Sequence, residues 1–136
     1  MITSDKQYEA AKQQLALLAK SLAAPTKKKV PDVIAKAGKA QIKELMAELQ
    51  SDLDEYESLK KCRPEDVEIH SLDDLLTAPI RYRIASHMSI DEFNRKVGDS
   101  ARQIIRYESE VYQNITTNTL QKILKGLNIH LEGKVA

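Results

Sequence analysis

The stretch from Ser89 to Glu108, SIDEFNRKVGDSARQIIRYE, constrains the fold more than any other part of the chain. Ser89 followed by Glu92 forms a capping box, and Phe93 and Val97 come after it at helical spacing, so a helix is expected up to Gly98. Asp99 or Ser100 can cap a second helix, with Gln103 as the reciprocal partner of Ser100 and Ala101, Ile104 and Tyr107 as its inward stripe. The pattern is helix, tight glycine turn, helix.

Two helices joined so closely must cross steeply, which leaves the second one protruding on the side away from Ile104 and Tyr107. Its outward face carries Arg102, Gln103, Ile105 and Arg106. An arginine fork matches the paired acceptors of guanine, a glutamine matches adenine, and an aliphatic side chain can meet the thymine methyl in the major groove. These four are the expected base-reading residues. Ser89 and Ser100, at helix N-termini, are expected on phosphates. The competing account of the arginines is a solvated helix face, with Arg106 pairing with Glu110. Glu108 is expected to anchor a buried arginine or a backbone amide rather than to meet DNA.

The residues VGDSARQIIRYE resemble the second half of the helix-turn-helix in bacterial Xre/Cro-repressor-type regulators, at Gly98, Ile104, Arg106, Tyr107 and Glu108. The resemblance implies a lambda-repressor-like helix-turn-helix bundle, double-stranded DNA as partner and a role as transcriptional repressor. It also implies a closing helix that completes the bundle, with Tyr112 where an aromatic side chain packs the preceding loop.

Further back, Tyr8, Ala11, Leu15, Leu18 and Leu22 recur at spacings of three and four, a heptad seam on one helix from Ser4 to about Leu22. Pro25 and Lys27, Lys28 and Lys29 interrupt it, and the lysines read as a solvated charge run. Pro31 suits the first turn of a second helix running through Ile34, Ile42, Leu45, Leu49, Leu53, Tyr56 and Leu59 to about Cys62. Such a helix is about 45 Å long at 1.5 Å per residue. A domain of some 60 to 70 residues has a radius of gyration of about 11 Å, so the helix overhangs its own globular part. Ile42, Leu45, Leu49, Leu53 and Tyr56 are therefore expected to form a seam for a second copy or another protein, the alternative being a self-sufficient helical hairpin with a solvated back face. The run AQIKELMAELQSDLDEYESLK, Ala40 to Lys60, resembles the N-terminal helical region of HigA-like antitoxins. That resemblance implies an antitoxin that represses its own operon and neutralises a partner toxin through this half.

Arg63 to Ser71 reads as a linker or short extended segment. Ser71 then caps a helix with Asp74 in its first turn, whose buried face is Leu72, Leu75, Leu76, Ile80, Ile84 and Ala85, with Pro79 a local irregularity. After a looser stretch, Thr117 or Asn118 opens a final helix through Leu120, Ile123, Leu124 and Leu127. The expected fold is all-α: an N-terminal long-helix hairpin over 1–63, a linker over 64–71 and the helix-turn-helix domain over 72–136.

Charge is compatible with DNA but does not demand it. The 136 residues carry a formal net charge of +1, with 9 Lys+Arg against 6 Asp+Glu after Ala78. Binding through one large basic patch is therefore not expected. His70, His87 and His130 are far apart and none stands beside Cys62, so no metal site is expected. The adjacent carboxylates, as at Asp73 and Asp74, diverge on a helix and have no accompanying base, nucleophile or phosphate loop. No enzyme and no cofactor are expected. Cys62, flanked by Lys60, Lys61 and Arg63, is either a thiol of lowered pKa or the small residue at a helix end. With one cysteine, no apolar leader and no membrane-length run, the chain is expected to be cytoplasmic and without membrane contact.

The working form expected for such a regulator is a homodimer reading two half-sites. A reading from a different class is a protein-interaction module whose helix-turn-helix has lost DNA binding. It draws on Ile90, Asn94 and Asp99, which replace a glutamine, a small alanine and an apolar turn residue of the family pattern, and on the low net charge.

Overall fold

A computed structural model describes residues 1–25 and 29–136. The described residues form six α-helices and no strand, in two compact units, Met1–Ser58 and Leu59–Ala136. Lys27 and Lys28 of the expected charge run lie outside the described residues.

In the first unit α1 spans Asp5–Ala23 and α2 spans Asp32–Lys61. Ser4 begins α1 by accepting the amide of Gln7 at 3.2 Å. The helices run antiparallel. Near the start of α1, Tyr8 donates its hydroxyl to Glu57, and the Tyr56 hydroxyl donates to Asp5 Oδ1 at 2.6 Å. The Tyr8 and Tyr56 rings pack with centroids 5.4 Å apart. Leu53 and Tyr56 are buried there with Ile2 and Ala11. At 1.5 Å per residue the 30 residues of α2 extend about 45 Å and the 19 of α1 only about 28 Å. The start of α2 is left bare, with Val33 79% and Ile34 61% exposed.

In the second unit a single 3₁₀ turn at Pro64–Asp66 occupies the expected linker, and Val67 and Ile69 after it are half-buried. α3 spans Leu72–Ala85, capped by Ser71, whose Oγ accepts the Asp74 amide at 3.1 Å. Pro79 sits inside α3 and is buried. The helix runs through it because proline costs one amide donor and a steric contact that surrounding packing can offset. α4 spans Ile90–Val97, α5 Ala101–Ser109 and α6 Thr117–Gly126. The cap of α6 is Thr116, one residue before the expected start; its Oγ1 accepts the Thr119 amide at 3.3 Å. Ile80, Ile84, Phe93, Ile104, Tyr112 and Ile123 form the centre of the core. A Cβ at Gly126 would stand 3.0 Å from the Val97 Cα, so α6 lies against α4 with no room for a side chain at that point.

Candidate nucleic-acid interface

Local chemistry sets the entry and exit of the helix pair. Ser89 Oγ accepts the Glu92 amide at 3.1 Å and donates to Glu92 Oε1 at 3.2 Å. The capping box is thus closed through the hydroxyl. Gly98 ends α4 with φ 74°, ψ 31°, the left-handed conformation a residue without Cβ adopts at little cost. Its carbonyl accepts from Lys122 Nζ of α6 at 2.9 Å. Asp99 Oδ1 accepts the Ser100 amide at 2.8 Å, and Ser100 Oγ accepts the Gln103 amide at 3.2 Å. Of the two candidates, Ser100 is the cap of α5.

A buried ion pair holds α5 against α3. Arg83 Nε and Nη2 donate to Glu108 Oε2 and Oε1 at 2.6 and 2.7 Å, and Nη1 donates to the Met88 carbonyl at 3.1 Å. Both residues are buried. The fork therefore ties α3, the α3–α4 connection and α5 together, and Glu108 does anchor an arginine. Tyr112, with no exposed surface, packs its ring 5.6 Å from that of Tyr107. Its hydroxyl is buried without a hydrogen-bond partner among the described residues, and burial, followed by the Glu108 charge, pushes its pKa upward.

Held this way, α5 turns Ile104, Tyr107 and Glu108 inward and leaves Arg102, Ile105 and Arg106 exposed, Ile105 at 58%. The Arg106 guanidinium lies 5.2 Å from the centroid of the Tyr107 ring. Glu110, the alternative partner for Arg106, instead accepts from Asn114 Nδ2 at 3.2 Å. Gln103 differs from its three neighbours. It is half-buried, and its Oε1, like Asn94 Oδ1, is buried without a partner among the described residues. The reciprocal arm of its capping box is not made. Ser100 accepts through a lone pair, which leaves its hydroxyl hydrogen to donate, whereas the Ser89 hydrogen is already directed to Glu92.

Residues 80–134 match the family model described as Helix-turn-helix. This segment is a helix-turn-helix domain. The match takes in the second half of α3, all of α4 to α6 and the tail, and domains of this class serve DNA-binding transcription regulators. No curated protein and no solved structure matches the chain. In the helix-turn-helix the left-handed Gly98 turn joins the two helices and Lys122 braces that turn. Lys122 and Arg83 were not among the expected site residues. Their partners are 24 and 25 positions away in the chain, and no periodicity or cap signals them. None of the described helices is long and apolar enough to cross a membrane.

The expected seam of α2 is divided. Leu53 and Tyr56 are buried inside the hairpin, Ile42 and Leu49 are half-buried and Leu45 is exposed.

Proposed function

We propose that the protein is a sequence-specific DNA-binding transcriptional repressor that works as a homodimer. The observation that supports this most directly is the outward face of α5, where Arg102, Ile105 and Arg106 are exposed on a capped helix following the Gly98 turn of a helix-turn-helix domain. Arg102 and Arg106, four residues apart, project from neighbouring turns and can take guanine edges, with Ile105 placed for a thymine methyl. Ser100 supplies a phosphate contact at the N-terminus of α5, and Ser89 one at α4 after release of Glu92. Gln103 reaches adenine only if its amide swings out of the half-buried position, so it contributes less than the arginines. The antitoxin role rests on the resemblance of Ala40 to Lys60 and adds a toxin partner bound through the hairpin.

The test is a fluorescence-anisotropy titration of the whole chain against duplex DNA from upstream of its own gene, with a shuffled duplex as control, at low and near-physiological salt. Preference for the upstream duplex by about a thousandfold or more supports the repressor. Equal, weak and salt-abolished binding to both duplexes supports the interaction module instead.

A further inference from the structure

The hairpin unit carries a stripe of residues with opposite charge at its two ends. On α2, Lys36, Lys39 and Lys43 recur at spacings of three and four, and Met46, Gln50, Leu53 and Glu57 continue the same alternation. The second group lines one wall of a mainly apolar groove of about 690 Å³ between α1 and α2, whose opposite wall includes the small Ala16 and Ala19. Lys36, Lys39 and Lys43 are exposed and make no ion pair among the described residues. From Glu44 to Glu57, α2 carries six carboxylates and no basic residue. The charge arrangement suits a second helix of the same kind, reversed.

We propose that α2 pairs antiparallel with α2 of a second copy of this chain, seated along this groove with Met46 and Ala47 at the two-fold axis. A two-fold axis makes the pairing reciprocal, so each contact occurs twice. Centred there, Lys36 faces Glu57, Lys39 faces Asp54, Lys43 faces Gln50, and Met46 meets the small Ala47. A parallel pairing would set lysine against lysine and carboxylate against carboxylate. The overlap from Lys36 to Glu57 extends about 33 Å. Ala40, Ala47 and the aliphatic stems of Lys36, Lys39 and Lys43 of the second copy cover the groove, while the exposed ion pairs fix direction and register more than affinity. The stripe shares Leu53 with the hairpin core, while Tyr56, which the hairpin has already used, lies one stripe round from it. The inference rests on the dimeric form proposed above.

Sedimentation equilibrium on the full chain at low salt, with Lys39→Glu and Asp54→Lys variants whose helix content is checked by circular dichroism, tests it. The wild type is expected to be a dimer. Each variant alone sets like charges opposite one another twice and is expected to raise the dimer dissociation constant about tenfold. An equimolar mixture of the two variants aligns opposite charges in both contacts and is expected to restore the wild-type constant. A wild-type dimer that neither substitution weakens, or a mixture that stays as weak as its components, overturns this interface while leaving a dimeric regulator standing. A monomeric wild type overturns the dimer and this interface together; DNA binding, measured separately, decides the regulator.

Discussion

At the scale of single residues, the position of α5 depends on Arg83 and Glu108. Both are buried and joined by two bonds, so removing one partner strands a charge away from water. Glu108→Ala is expected to destabilise the domain by about 3 to 5 kcal/mol in urea unfolding, and Arg83→Met, Glu108→Leu together by less than Glu108→Ala alone. Gly98→Ala, which places a Cβ at φ 74°, is expected to cost about 1 to 2 kcal/mol by the same measurement. Tyr112→Phe has the opposite sign. Its hydroxyl is buried without a partner, so the change is expected to leave stability unaltered or raise it by up to about 1 kcal/mol. What was legible at this scale was local: the Ser89 and Ser100 caps and the Gly98 stop each involve groups within four positions. That Glu108 would anchor either a buried arginine or a backbone amide could be read from its place beside the inward stripe. Which arginine could not, since Arg83 is a full helix and a connection away. The inward turn of the Gln103 amide was illegible because spacing places a Cα on a face and leaves its rotamer to the packing of neighbours.

At the scale of elements, helices were legible from apolar period and caps because both are properties of a few consecutive residues. The start of α6 at Thr117 is one of the two expected positions, with Thr116 as its cap. The N-terminus of α3 carries a pH dependence. His70 Nε2 stands 2.8 Å from Glu68 Oε2, and the hydrogen bond and charge of Glu68 raise the imidazole pKa above its ordinary value of about 6.5. A raised pKa stabilises the fold fully below the ordinary value and ceases to do so as pH rises through the folded one. Asp74 has the reverse sign: the His70 backbone amide, then the Arg81 charge, lower its carboxyl pKa. Its contribution is present above the ordinary carboxylate pKa and fades as pH falls through the lowered value. A proton NMR titration is expected to show His70 titrating above about 6.5 and Glu68→Gln lowering its pKa. The effect on stability is small because the pair is exposed.

At the scale of the whole molecule, the chain joins a helix-turn-helix unit to a hairpin that has apolar surface to spare. That α2 overhangs α1 was legible in its length, and the second chain proposed to cover the excess follows from that overhang. Which face that chain takes was not legible, because the same heptad residues that suggest a seam, Leu53 and Tyr56, are those α1 covers first. The proposed DNA binding draws its sequence discrimination from base-facing side chains, since phosphate contacts position a protein on the duplex without specifying sequence. Reading of bases by the outward face of α5 is therefore the claim on which the rest depends. It is tested most directly by selecting binding sites from randomised duplex DNA with the wild type and with Arg102→Ala in parallel. The account predicts that the wild type enriches a two-fold motif with half-sites about 34 Å apart, and that Arg102→Ala loses about 1 to 3 kcal/mol and relaxes one base position in each half-site. Failure of the wild type to enrich any motif, or recovery of the same motif at full stringency by both proteins, would contradict it.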